Sequence, residues 1–165
     1  MEIERKFLIP VLPGDISKYP VYLLEQAYLC RQPVIRVRKE EKGSEKSFVL
    51  TYKSKGLMMR EEYNLPLDRE SYAHLKAKAD GRAITKKRYR IPESGGLTIE
   101  LDVFEGELAG LVMAEVEFPD KETAEKYRPP EWFGKEVTYD QAYHNSNLSL
   151  VESCAGCRQG GNYDN

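Results

Sequence analysis

The sequence predicts a mainly β (α+β) fold: an eight-stranded antiparallel barrel, closed on itself, with helices packed outside. Three observations carry this. Alternation with a period of two recurs in eight segments spread evenly along the chain. The links between them are too short for parallel crossovers, which leaves an antiparallel meander. The polar face of most segments carries charge of one sign rather than the Ser, Thr and Gln mixture of a face meeting water.

The first strand spans residues 1–9, M-E-I-E-R-K-F-L-I, with Glu2, Glu4 and Lys6 on one face and Ile3, Phe7 and Ile9 on the other. Pro10, Pro13 and Gly14 end it. A second strand covers 21–30, with Gln26 and Tyr28 on one face, and a third begins at Pro33, where Arg36 and Arg38 oppose Ile35 and Val37. The K-E-E-K-G-S-E-K run at 39–46 reads as a solvated hairpin turn. Strand four is 47–55 and contains Thr51 and Lys53; strand five is 58–67, with Arg60 and Glu62 together. Asp68 then caps an amphipathic helix over 69–79, with Tyr72, Leu75 and Ala79 at helical spacing.

Strand six, 83–91, places Lys86, Arg88 and Arg90 on one face. Strand seven, 97–104, places Glu100 and Asp102 opposite Ile99, Leu101 and Val103. Strand eight, 111–118, places Glu115 and Glu117 opposite Val112, Ala114, Val116 and Phe118. A second helix follows over 121–127, then Pro129, Pro130 and W-F-G at 132–134, and a last segment over 137–151. The domain is therefore 1–151, and the polar, glycine-rich 152–165 is expected to be a disordered tail. Cys154 and Cys157 form a C-x-x-C there, without a second ligand pair at zinc spacing. His74 and His144 are expected at the surface.

The 165 residues carry 25 basic and 27 acidic side chains, a formal charge of −2, which argues against a general nucleic-acid binder. No apolar run reaches membrane-spanning length, and there is no signal-peptide pattern at the N-terminus. With three cysteines, the expectation is a cytoplasmic protein. The signed faces point to a charged lumen. Isolated buried charge is costly, so such a lumen must be wet, internally paired or filled by a charged ligand. Clustered bases suit a polyanion, and carboxylates at i, i+2 suit a hard divalent cation that takes oxygen ligands, Mg2+ or Mn2+. Together they fit a metal-bound polyphosphate. There is no G-x-x-x-x-G-K-[ST] loop.

An ordered series of short motifs then resembles the CYTH superfamily, the triphosphate tunnel metalloenzymes. It runs E-x-E-x-K (Glu2, Glu4, Lys6), Q-x-Y-L (from Gln26), R-x-R (Arg36, Arg38), T-x-K (Thr51, Lys53) and R-x-E (Arg60, Glu62). It continues K-x-R-Y-R (from Lys86), E-L-D-V-F (from Glu100), A-E-V-E-F (from Ala114) and W-F-G-x-E-V-T-x-D-x-x-Y-x-N (from Trp132 to Asn145), the last similar to short bacterial members. The resemblance implies a triphosphate-binding tunnel. It implies metal ligands at Glu2, Glu4, Glu115 and Glu117, with Asp102, Glu62 and Glu100 nearby. It implies phosphate contacts from Lys6, Arg36, Arg38, Lys53, Lys86 and Arg88, with Arg60 and Arg90 nearer the strand ends. Tyr28, paired with Lys6, is a candidate for proton transfer and Glu62 for positioning water. The implied activity is metal-dependent hydrolysis of the terminal phosphoanhydride of inorganic triphosphate or a related small-molecule triphosphate. Two alternatives share the lumen chemistry, a class IV-type adenylate cyclase and a non-catalytic polyphosphate-binding module. A homodimer is compatible with the sequence.

Overall fold

The computed structural model describes residues 1–150. The expected tail, with Cys154 and Cys157, lies outside the described residues. Nine strands form one antiparallel sheet: β1 Glu2–Leu8, β2 Val21–Arg31, β3 Val34–Lys42, β4 Glu45–Lys53, β5 Met59–Arg60, β6 Glu62–Leu67, β7 Asp80–Pro92, β8 Thr98–Phe104 and β9 Val112–Glu117. Three helices accompany them, α1 Arg69–Lys76, α2 Lys121–Lys126 and α3 Asn145–Leu148. The strand order is β5-β1-β9-β8-β7-β2-β3-β4-β6. Its two outer members are neighbours in sequence, joined through Glu61 alone. The expected fifth strand is thus one strand bent in the middle, pairing with β4 on one side and β1 on the other. The bend is held at Glu61, whose N–H donates to Ser54 Oγ (2.9 Å) and whose carbonyl accepts from Ser54 N–H (3.0 Å). This bend brings the sheet round into a nearly closed barrel.

The charged run at 39–46 is mostly strand rather than turn. β3 and β4 pair through it as far as Lys42 opposite Glu45, leaving Gly43 and Ser44 as the turn. Gly43 supplies the left-handed position (φ 59°) that a two-residue hairpin needs. Across the ladder Lys46 lies 3.8 Å from Glu41, and Lys39 on the same strand lies 3.3 Å from it.

Because the polar faces turn inward, the apolar faces turn outward and need cover. α1, capped by Asp68 accepting from Ser71 N–H (2.7 Å), lays Tyr72 against Phe48 (ring centroids 5.2 Å) over Ala27 and Val37. α2 and the stretch through Trp132 and Phe133 cover Phe7, Ile9, Ile91, Leu101, Val116 and Phe118. The segment around 137–148 closes over Leu8, Tyr28, Ile84, Phe104 and Met113, contributing Val137, Tyr143 and Leu148. It is stitched to β1 by Val137 N–H to Lys6 O (2.8 Å), Leu8 N–H to Lys135 O (2.9 Å) and Gly134 N–H to Leu8 O (2.7 Å). No described helix is long and apolar enough to cross a membrane.

Gly134 has no room for a side chain: a Cβ there would stand 2.7 Å from Leu8 O and 2.9 Å from Pro10 Cδ. Gly134→Ala is expected to lower stability by about 1–3 kcal/mol, the usual cost of overpacking, read as a lower urea midpoint with an unchanged slope.

Candidate active site

The barrel encloses a cavity of about 180 Å³. Seven cationic side chains line it (Lys6, Arg36, Arg38, Lys53, Arg60, Arg88, Arg90) and six carboxylates (Glu2, Glu4, Glu62, Glu100, Glu115, Glu117). Tyr28, His144, Asn145 and Ser146 add polar groups, and Val34 is the sole aliphatic residue among the described lining. Two further pockets share part of its lining. One, of about 600 Å³, shares Val34, Arg60, His144 and Ser146 with it, and the other, of about 510 Å³, shares Arg90, Glu100 and Glu117.

Strand register assembles this set from remote parts of the chain. β1 against β9 puts Glu4 opposite Glu117 and Lys6 opposite Glu115. β7 against β8 puts Arg88 opposite Asp102 and Arg90 opposite Glu100. β1 against β5 puts Glu2 opposite Arg60, and β4 against β6 puts Lys53 opposite Glu62.

The charges divide into a paired group and an unpaired one. Lys6 bridges Glu4 and Glu115, 3.4 Å from each. Lys53 reaches Glu2 (2.9 Å) and Glu62 (3.4 Å), and Arg60 lies 3.6 Å from Glu4. Arg88 forks onto Asp102 (2.7 and 2.8 Å) and also meets Glu100 (3.0 Å) and Glu115 (3.3 Å). Burial opposes ionisation of Glu115, but Lys6, Arg88 and Lys86 outweigh it and hold its carboxyl well below the usual range. Arg36 and Arg38, by contrast, make no ion pair with any described residue. Arg38 donates instead to Gln26 Oε1 (3.0 and 2.8 Å), and the buried Arg36 Nε has no hydrogen-bond partner. Burial opposes the Arg36 charge, but Tyr28, with Glu2 and Glu62 beyond ion-pair distance, outweighs it and raises the guanidinium. Burial, with Arg36 and Arg88 alongside, pushes Arg38 down to about 10.

The carboxylates show a matching surplus. Glu4 Oε1 and Glu62 Oε2 are buried without a hydrogen bond, although cations stand nearby. Burial and the neighbouring Glu4 push Glu2 up, and it shares a hydrogen bond with Glu62, which stays ionised. Burial and Glu4 likewise push Glu117 up. No three acidic, histidine or cysteine side chains converge as a ready-made cation cage among the described residues. The unsatisfied oxygens and the mutual repulsion of Glu2, Glu4, Glu62 and Glu117 nevertheless fit a hard divalent cation.

Two residues expected in direct ligand contact sit behind the wall. Asp102 and Lys86, 1% and 0% exposed, pair with each other at 2.7 Å, and neither lines the cavity. Burial outweighs Asp102 and pushes the Lys86 ammonium down to about 8. Tyr28 does line the cavity, and its hydroxyl oxygen accepts from Gln26 Nε2 (2.8 Å). Gln26 therefore orients both Tyr28 and Arg38, a role that its place one pleat before Tyr28 hints at. His144 is not a surface residue: it is buried and lines the cavity. Its Nε2–H donates to the Thr138 carbonyl (3.2 Å), because the chain after Val137 folds back into the barrel end. No periodicity in that loop signals this.

Comparison with known proteins gives the site its context. No protein-family model matches the chain. An inorganic triphosphatase of Nitrosomonas europaea is 39% identical over 151 residues, spanning 90% of this chain and 97% of that protein. The chain belongs to the inorganic triphosphatase family, within the CYTH superfamily. A second member, from Acetivibrio thermocellus, is 37% identical over 155 residues, 89% of this chain and 92% of that one. A crystal structure of an inorganic triphosphatase superposes with a TM-score of 0.65 at 35% identity, covering 93% of this chain and 97% of that chain. A Hippeastrum protein described as an adenylyl cyclase with a dominant triphosphatase activity shares the fold at 18% identity, with a TM-score of 0.59 over 76% of this chain and 83% of that one.

Two consequences of the electrostatics are measurable. Arg38→Met removes a guanidinium whose charge is opposed by burial and by the neighbouring Arg36 and Arg88, and should raise stability without phosphate by about 1 kcal/mol or more while weakening anion binding; paired urea titrations with and without triphosphate check both. Burial and Lys6 push His144 down to about 4 from 6.5. The unfolded chain therefore binds the extra proton first, and stability is lost as pH falls from 6.5 towards 4. His144→Gln should flatten that part of the stability profile.

Proposed function

We propose that this chain cleaves the terminal phosphoanhydride of inorganic triphosphate in its barrel cavity, with Mg2+ or Mn2+, releasing orthophosphate and pyrophosphate. The supporting observation is the pair of inward guanidiniums, Arg36 and Arg38, that have no carboxylate partner in a lumen where the other cations are paired. Burial opposes both charges, and a polyanion would supply the direct partner that neither has. The relatives named inorganic triphosphatase direct that polyanion to triphosphate.

In this reading Arg36, Arg38, Lys6, Lys53, Arg60 and Arg88 grip the phosphate oxygens, the guanidiniums by two-pronged contact. Glu2, Glu4, Glu115 and Glu117 would hold the cation, with Glu62 beside them. The cation would neutralise phosphate charge as the bond to the leaving pyrophosphate breaks. Glu62, ionised and turned into the cavity, orients the attacking water opposite that bond. Tyr28, held by Gln26, and Lys6 supply the proton transfer. Asp102 keeps Arg88 aimed, through its forked contact.

Purified protein should release phosphate from inorganic triphosphate when Mg2+ or Mn2+ is added and none after chelation. Absence of release from inorganic triphosphate, nucleoside triphosphates and thiamine triphosphate would sink the reading in favour of a binding module, and cyclic AMP from ATP would favour the cyclase. Glu4→Gln should lower kcat/KM by about two orders of magnitude or more with the thermal unfolding curve retained.

A further inference from the structure

The chain after Val137 brings a neutral amide to the cavity wall. Asn145 opens α3, is 7% exposed and lines the cavity. Behind it lies Lys86, fully buried, whose Nζ donates to Asn145 Oδ1 (3.2 Å). An ammonium has three donors and no acceptor, so it accepts only the oxygen end of the amide as neighbour. The planar amide then turns Nδ2 away from Lys86. That nitrogen makes no hydrogen bond with any described residue, and Asn145 is part of the cavity lining.

We propose that Asn145 is a substrate-binding residue of the cavity, donating from Nδ2 to a phosphate oxygen, and that Lys86 is a positioning residue that acts through it by fixing which end of the amide faces the ligand. The inference rests on the cavity being a triphosphate site. Its chemistry follows from the surroundings. Seven cations already line the cavity, and one more would be repelled by its neighbours. An amide adds a directed donor without adding charge. The lysine's charge is meanwhile kept off the ligand and absorbed by Asp102 at 2.7 Å.

Asn145→Asp separates this role from packing. It keeps the shape and keeps an acceptor for Lys86, but replaces the inward donor with a carboxylate oxygen. Calorimetric titration with inorganic triphosphate, and phosphate release with Mg2+, would be measured on wild-type protein, Asn145→Asp and Asn145→Ala. Asn145→Asp should raise Kd and KM about tenfold to a hundredfold, the range for a hydrogen bond to a charged group. Asn145→Ala should raise them about tenfold, with kcat changed less than KM and the thermal midpoint retained. Lys86→Met should match Asn145→Ala in KM, and the double variant should be no worse than either. Kd and KM of Asn145→Asp within about twofold of wild type overturn the proposal. Full additivity in the double variant overturns the part assigned to Lys86. Wild-type protein that binds triphosphate but releases no phosphate overturns the hydrolase reading, and the Kd comparison still decides Asn145.

Discussion

The constraint on which the structure depends is that none of its inward charges can be left alone. Six carboxylates and seven cations line a narrow barrel cavity, and cross-strand register sets most of them against an opposite sign. Lys6 between Glu4 and Glu115, and Arg88 among Asp102, Glu100 and Glu115, are contacts of three and four residues rather than pairs. Removing one member would strand the others in a poorly solvated space. Against this lattice the exceptions are informative. Arg36 and Arg38 on one side, and the crowded Glu2, Glu4, Glu62 and Glu117 on the other, are surpluses of opposite sign facing one cavity. A metal-bound polyphosphate balances both at once.

The charged interior also dictates the rest of the architecture. A barrel with its polar face inside must bury its apolar face on the outside, so the hydrophobic core is a set of clusters between barrel and cover. α1, α2 and the stretch to Leu148 are that cover. They are short, and each is tied to the barrel by specific bonds: α1 by the Tyr72 hydroxyl donating to Glu25 at 2.7 Å, α2 by Arg5 donating to the Ala124 and Tyr127 carbonyls at 2.8 and 3.0 Å, and the last stretch by Val137 N–H donating to Lys6 O at 2.8 Å. The last of these covers does double duty. In closing over the end of the barrel it places His144, Asn145 and Ser146 in the cavity wall.

Much of this was legible in the amino-acid order, because a strand displays its two faces with a period of two. Glu2, Glu4 and Lys6, or Lys86, Arg88 and Arg90, announce a common face without any knowledge of what opposes it. The bend at Glu61 was not legible: nothing in R-E-E marks where one strand changes partners, and the closure follows from hydrogen bonds to Ser54. The hairpin at 39–46 was legible, but how far its strands run was hidden by charge composition, since Lys and Glu in register across a ladder look like a solvated loop when read singly.

The sequence by itself therefore determined the barrel class, the signed faces and the family motifs, all of which depend on local alternation. Only the tertiary structure decided which charges meet, since register and closure are set by contacts between residues far apart in the chain. That is why Lys86 and Asp102, which share the pattern of their neighbours Arg88 and Glu100, stand behind the wall while the neighbours line it. It is also why His144 and Asn145, on an aperiodic segment, are parts of the cavity.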